Sequence, residues 1–242
     1  MDAVDKSRIL YVSDQCLVVN KIAGEAVEGA KEGMADLPAL LAEQYGTVKK
    51  GRGKAFQPTA VHRLDVPVSG CTLFARTPKA LSLLTGAFAE ERAEKYYWAI
   101  IENPREDIPE TGELIHWIGI DRKQNKSIAY NEKKQGRKEG ILRYRIKGGG
   151  KNYLFMEIEL VTGRHHQIRA QLAALGLYIK GDLKYGARRS EKGGGIRLHA
   201  RSLYFPEPAN NGDIVHVSAL PPKRDKLWRD FERGGLPEEG EA

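Results

Sequence analysis

The sequence predicts an α+β domain built on a central, mostly antiparallel mixed sheet flanked by helices and loops. Three observations carry that expectation. Segments of strand composition outnumber helical ones, and no regular βαβ alternation runs along the chain. The clearest strand, Tyr153 to Val161, alternates Glu157 and Glu159 with Met156, Ile158 and Leu160, as a strand with one wet face does. A chain of 242 residues lies within reach of one mixed domain, so residues 1–242 are expected to form a single domain.

Taken in order, the elements read as follows. Ile9 to Val19 is a short apolar stretch rich in β-branched residues, and Asn20 with Lys21-Ile22-Ala23-Gly24 then turns the chain. Asp36 stands before Leu37-Pro38, with Leu40, Leu41 and Tyr45 at helical spacing, which predicts a short helix capped by Asp36 with Pro38 in its first turn. Lys49-Lys50-Gly51-Arg52-Gly53-Lys54 reads as a solvated basic loop, with contact to RNA phosphates as the less favoured alternative. Cys71 to Ala75 is a buried strand, and Thr77-Pro78 opens a helix whose stripe is Leu81, Leu84 and Phe88. Tyr96 to Ile101 is a strand again. Asn103 to Gly150 is charged, loop-rich and studded with turns. After Tyr153 to Val161, Thr162-Gly163 turns the chain into a helix expected over Arg164 to Leu175, ended by Gly176.

Composition narrows the function. With 41% hydrophobic and 29% charged residues, and no apolar run near the roughly 20 residues a bilayer requires, the chain is expected to be soluble and not membrane-bound. Met1 to Leu10 lacks the basic stretch and apolar core of a signal peptide, so a cytoplasmic location is expected. The two cysteines, Cys16 and Cys71, make neither a disulfide framework nor a metal spacing. A formal charge of +7 and a pI near 9.3 favour polyanionic partners. The clusters Gly148-Gly149-Gly150 and Gly193-Gly194-Gly195 match neither a phosphate loop nor a dinucleotide fingerprint, and the serines sit in no Gly-x-Ser-x-Gly elbow. His165 and His166 are adjacent, so on a helix they diverge by about 100° instead of converging on a metal.

One segment is physically odd. Val61-His62-Arg63-Leu64-Asp65-Val66-Pro67-Val68-Ser69-Gly70 wedges charges against a turn that leads at once into a buried strand. On its own, Asp65 would be read as pairing with Arg63 or capping the turn. However, the H-R-L-D-x-x-x-S-G pattern resembles the signature of the RluA family of pseudouridine synthases. Lys95-Tyr96-Tyr97-Trp98-Ala99 is similar to that family's K-x-Y-x-A motif, and Thr162-Gly163-Arg164-His165-His166-Gln167-Ile168-Arg169 to its T-G-R-x-H-Q-I-R motif. Gly181-Asp182-Leu183-Lys184-Tyr185-Gly186 and Leu198-His199-Ala200 fit the G-D-x-x-Y-G and L-H-A segments. The five motifs fall in family order between Val61 and Ala200. A weaker match joins Val18-Val19-Asn20-Lys21 to Ala23-Gly24. Ile22, Val66 and Leu177-Tyr178 depart from the pattern, at positions that bear on loop shape and substrate choice.

The resemblance implies one pseudouridine-synthase-like catalytic domain over residues 1–242, with no separate N-terminal RNA-binding domain. It makes Asp65 the nucleophile, Arg169 the partner that keeps it ionised, and Tyr97 a flat face for the uracil with a hydroxyl able to move protons. It assigns RNA contacts to Arg63, His62, Arg164 and His166. Arg63 is the expected wedge for a flipped nucleotide or a phosphate contact, and for His62 a loop-orienting role is preferred to acid or base chemistry. No metal, nucleotide or organic cofactor is implied. The expected partner is structured ribosomal or transfer RNA, with no obligatory protein partner. Two rivals remain: a catalytically silent RNA-binding relative, against which Asp65, Arg169 and Tyr97 stand intact, and a nucleotide or RNA hydrolase using Asp65 as base. The second wants a metal cluster or another catalytic carboxylate, and neither stands out.

Overall fold

Cys16-Leu17-Val18-Val19 is a continuous apolar run, the mark of a strand buried on both faces, and it centres one half of the fold. The computed structural model describes residues 4–33, 36–46, 56–103, 107–209 and 212–234. The basic segment Lys49 to Lys54 lies outside them. The chain divides into two compact units, Met1–Lys95 with Ala200–Pro222, and Tyr96–His199 with Lys223–Ala242. Among the described residues no helix is long and apolar enough to cross a membrane.

The first unit holds β1 (Ile9–Val12), β2 (Cys16–Lys21), α1 (Leu37–Tyr45), β3 (Thr59–Ala60), β4 (Ser69–Ala75) and α2 (Pro78–Ala89). Later chain adds most of β10 (Leu198–Pro206) and all of β11 (Ile214–Ser218). The strands lie in the order β1-β2-β4-β10-β11, with β3 also on β4. Leu17 and Val19 of β2 pack with Leu37, Leu41 and Phe74 beside α1, while Cys16 and Val18 pack with Leu84, Leu203 and Phe205 beside α2. The single strand expected over Ile9 to Val19 is in fact a hairpin. Polar Ser13-Asp14-Gln15 reverses it: the Ser13 amide donates to the Cys16 carbonyl, and the Ser13 hydroxyl accepts from the Gln15 and Cys16 amides. Asp36 does occupy the cap position of α1, but its side chain makes no capping bond; the Leu37 amide donates to Ala26 instead.

The second unit is a five-stranded antiparallel sheet. Its order is β5 (Glu94–Glu102), β9 (Tyr153–Leu160), β8 (Lys138–Gly149), β6 (Thr111–Asp121) and β7 (Lys126–Tyr130), with β5 beginning in the first unit. Three of these strands correct the loop-rich reading of Asn103 to Gly150. Their charges sit on one wet face and match across strands: Arg143 of β8 reaches Glu113 of β6 at 2.9 Å and Glu159 of β9 at 3.3 Å. Charge density there marks cross-strand pairing and not irregular chain. α3 (Gln167–Ala174) covers the face that carries His116 and Gly140, and α4 (Lys226–Glu232) puts Trp228 and Phe231 on the opposite face with Ile100 and Phe155.

α3 starts three residues later than expected. His166 adopts a left-handed conformation (φ 50°), which an L-residue accepts only when its surroundings enforce it. The enforcing group is Gln167, whose Oε1 accepts from the Arg164 amide at 2.9 Å and the Thr162 hydroxyl at 2.8 Å, while its Nε2 donates to the Ile141 carbonyl.

Candidate active site

Asp65 begins a tight turn that the first unit builds just ahead of β4. The Val68 amide donates to the Asp65 carbonyl at 2.9 Å, and the Gly24 amide donates to the Val66 carbonyl at 2.8 Å. Leu64 and Val68 anchor the turn from either side as buried apolar side chains. Beneath it lies Lys21, the last residue of β2, with 0% of its surface exposed. Its ammonium points at four carbonyl oxygens: Ile22 at 3.1 Å, Asp65 at 3.3 Å, Val66 at 3.1 Å and Val68 at 2.6 Å. A buried cation is costly unless dipoles or charges replace its water, and here both do. Burial pulls the Lys21 pKa from 10.5 down to about 8, while the charges of Glu25 and Asp65 act in the opposite direction. Glu25 is itself held by Arg8 at 2.5 Å and by the Ile22 amide at 2.9 Å. The weakest motif in the sequence is therefore the seat of the Asp65 turn.

The rest of the signature holds the same turn. His62 Nε2 accepts from the Leu73 amide at 3.2 Å, and its ring lies on Phe88 with centroids 5.1 Å apart. Burial, aided by the charge of Lys95, pushes the His62 pKa down to about 3, so the ring is neutral and able to accept. His62 is a brace for the loop, and this geometry lends no support to the RNA contact expected of it. Arg63 is exposed, with Glu28 at 3.6 Å in a solvent-screened pair that leaves its guanidinium open to a phosphate. Gly70 has φ +119°, and a Cβ there would lie 2.2 Å from the Ala200 carbonyl oxygen. That approach explains why the Ser69-Gly70 and Leu198-His199-Ala200 motifs go together.

Tyr97 and Arg169 belong to the second unit. Tyr97 sits in β5 opposite Ile158 and is buried. Arg169 is 5% exposed and is gripped bidentately by the equally buried Asp182, Nε to Oδ2 at 2.6 Å and Nη2 to Oδ1 at 2.8 Å. The Tyr185 ring lies 4.7 Å from the guanidinium carbon. The Tyr185 hydroxyl accepts from the Ser127 amide at 2.8 Å and meets His166 Nδ1 at 2.9 Å. His165 stacks on His166 with centroids 3.8 Å apart. Ser127 Oγ is 2.6 Å from the His165 carbonyl. His166 thus belongs to a buried wall, which does not fit the RNA contact expected of it. Arg164 is exposed and donates from Nε to the Glu139 carbonyl at 2.7 Å, a rim position suited to phosphate.

Three side chains that hold the candidate residues in place went unassigned on sequence. Lys21 looked like a turn lysine, and Asp182 and Tyr185 lay within a matched segment but had no stated role. The signal for the latter pair was available: a carboxylate and an aromatic at fixed spacing after an arginine-bearing helix. Among the described residues no group of three or more His, Cys, Asp or Glu side chains is arranged to hold a metal ion.

Fold and motif-bearing loops define a class, α+β proteins that carry an aspartate on a braced turn and a buried helix arginine gripped by an aspartate from the loop that follows. A profile described as RNA pseudouridylate synthase matches residues 15–174, and the chain belongs to that family as an RNA pseudouridine synthase of the RluA type. An uncharacterized RNA pseudouridine synthase of Zymomonas mobilis is 32% identical over 201 residues, covering 81% of this chain and 86% of that protein. The ribosomal large subunit pseudouridine synthase C of Vibrio cholerae is 30% identical over 227 residues, covering 86% of this chain and 64% of that protein. The solved structure of human RNA pseudouridylate synthase domain containing 1 shares the fold, with a TM-score of 0.69 at 22% identity over 98% of this chain and all of that one.

Proposed function

We propose that this chain isomerises particular uridines in structured ribosomal or transfer RNA in the cytoplasm, with Asp65 as nucleophile and Tyr97 and Arg169 completing the catalytic set of one domain. The reaction breaks the bond from uracil N1 to ribose C1′, turns the base, and bonds C5 to C1′; the proton on C5 leaves and N1 gains one, so nothing is consumed. Such chemistry asks for a carboxylate whose position is set before substrate arrives. The observation that carries the reading is the Lys21 ammonium under the turn, which donates to the backbone carbonyls of Asp65, Val66 and Val68 and so fixes the turn that begins at Asp65. In this reading Tyr97 faces the uracil, and Arg169, held rigid by Asp182, supplies positive field. Arg63 and Arg164 contact phosphate. The large-subunit substrate named for the Vibrio cholerae relative supports ribosomal RNA as the first target to try.

The test is tritium release from RNA labelled at uracil C5, run beside an affinity measurement. Asp65→Asn keeps the shape and loses the charge, so conversion should vanish while RNA binding stays at the wild-type level. Release by that variant at the normal rate removes Asp65 as the nucleophile.

A further inference from the structure

The strand order β8-β6-β7 forces residues 131–137, which join β7 to β8, to cross the face of β6. That crossover is basic. Lys133, Lys134 and Arg137 lie on it and Lys138 opens β8, while Arg122, Lys123 and Lys126 cluster at the β6–β7 turn. Residues 121–139 hold these seven basic side chains against three acids, Asp121, Glu132 and Glu139, leaving +4 of the chain's formal +7 in 19 residues. Asp121 is occupied by the turn itself, accepting from the Lys123 and Gln124 amides at 2.9 and 3.1 Å. Glu132 meets Lys134 at 3.6 Å with both side chains more than 60% exposed, a pairing that neutralises little.

A solvated charge run leaves its side chains free to wander, but here three cations rest on aromatic faces. Lys133 Nζ lies 5.1 Å from the Trp117 ring centroid, the Arg137 guanidinium 3.3 Å from Tyr130, and Lys126 Nζ 4.9 Å from Tyr185. Stacking of this kind fixes position while keeping the charge. Because the rings are covered by cations, they are not free to stack bases, so the surface can attract a backbone without reading a sequence. It also leads to the proposed chemistry: Tyr185 carries Lys126 near its ring and Arg169 near the same ring at 4.7 Å, and Lys184 extends the patch by donating to the Asn125 carbonyl at 3.1 Å.

We propose that the β6–β7 turn and the β7–β8 crossover form a phosphate-tracking surface that holds an RNA strand in register with the Arg169 end of the site, independent of base identity. The inference rests on the uridine-isomerising reading above and adds to it the face on which the RNA backbone lies.

The probe is a fluorescein-labelled RNA hairpin transcribed with unmodified uridines, bound at a series of KCl concentrations. Arg122→Ser, Lys123→Ser, Lys134→Ser and Lys138→Ser are combined in one variant, all at exposed positions outside the aromatic stacks. Each lost phosphate contact removes roughly 0.7–0.9 from the slope of log affinity against log salt, so the variant should bind with a slope shallower by about 3 units. A control combining Lys6→Ser, Lys31→Ser, Lys79→Ser and Lys192→Ser loses the same charge at exposed positions elsewhere and should keep the wild-type slope. An unchanged slope in the first variant, or an equal fall in the control, overturns the surface. If Asp65→Asn still abolishes release in that event, the uridine-isomerising reading survives and only the docking face is lost; a wild-type chain with no affinity for the RNA overturns both.

Discussion

Lys21 shows how much one side chain can decide. Its folded pKa of about 8 lies below the ordinary 10.5, so below pH 8 both folded and unfolded chains carry the proton and the folded state bears the full cost of a buried charge. Between about pH 8 and 10.5 the folded state releases its proton first, and stability rises with pH. Relative to Lys21→Met, which has no such proton, wild type should gain on the order of 3 kcal/mol across that window. Urea midpoints of both proteins at pH 7.5 and 10.5 would measure it, and parallel behaviour of the two sinks the assignment. Asp182 offers a second test. Removing one member of a buried ion pair typically costs about 3–5 kcal/mol because the other charge is stranded, so Asp182→Ala and Arg169→Ala should each destabilise strongly. The double variant should cost far less than their sum. Independent, additive losses would show that the pair seen at 2.6 and 2.8 Å contributes nothing. The family pattern that contains Asp65, Tyr97 and Arg169 was legible on sequence because five motifs fall in order along the chain. Lys21 was not, since a lysine after a strand ordinarily points to water and only the return of the Asp65 turn buries it.

Among the elements, β4 and its neighbour β10 set the tightest constraint. Gly70→Ala would place a methyl group 2.2 Å from the Ala200 carbonyl oxygen at a backbone φ of +119°, whereas Gly24, at φ +97°, has open space around its missing Cβ. Gly24→Ala should therefore cost only backbone strain, about 1–2 kcal/mol, while Gly70→Ala must push β4 away from β10 and should lower the thermal midpoint several times further. Calorimetry of the two variants side by side decides this, and equal losses would deny the close approach. At this scale the sequence was least readable where charges are dense. Arg143 lies between Glu113 and Glu159 on three different strands, and no local pattern reveals that such charges pair across a sheet. The late start of α3 was hidden for a similar reason, because Gln167, a good helix former, uses its side chain to close the preceding turn.

For the molecule as a whole, an α+β fold with antiparallel sheets was readable from strand count and from the alternation in Tyr153 to Leu160, which forms β9. What the pattern does not reveal is the interleaving: each unit takes a long early segment and a short late one. The first unit draws Leu203, Phe205, Val217 and Ala219 of its core from the late segment. A chain ending at His199 would leave β4 without β10 beside it and that core open. It should be recovered aggregated or protease-sensitive in residues 4–95; a soluble, protected fragment would show that the late strands are dispensable.

The same interleaving bears on how the protein is born. Synthesis runs from the N-terminus, so the segment bearing Asp65 leaves the ribosome long before Ala200, the residue against which Gly70 closes, has been made. Until β10 and β11 emerge, the Asp65 turn has its lysine beneath it but lacks the strand that completes its sheet. Until then Gly70 has no Ala200 to close against, and the first unit waits on residues 200–222 to complete both its sheet and its core.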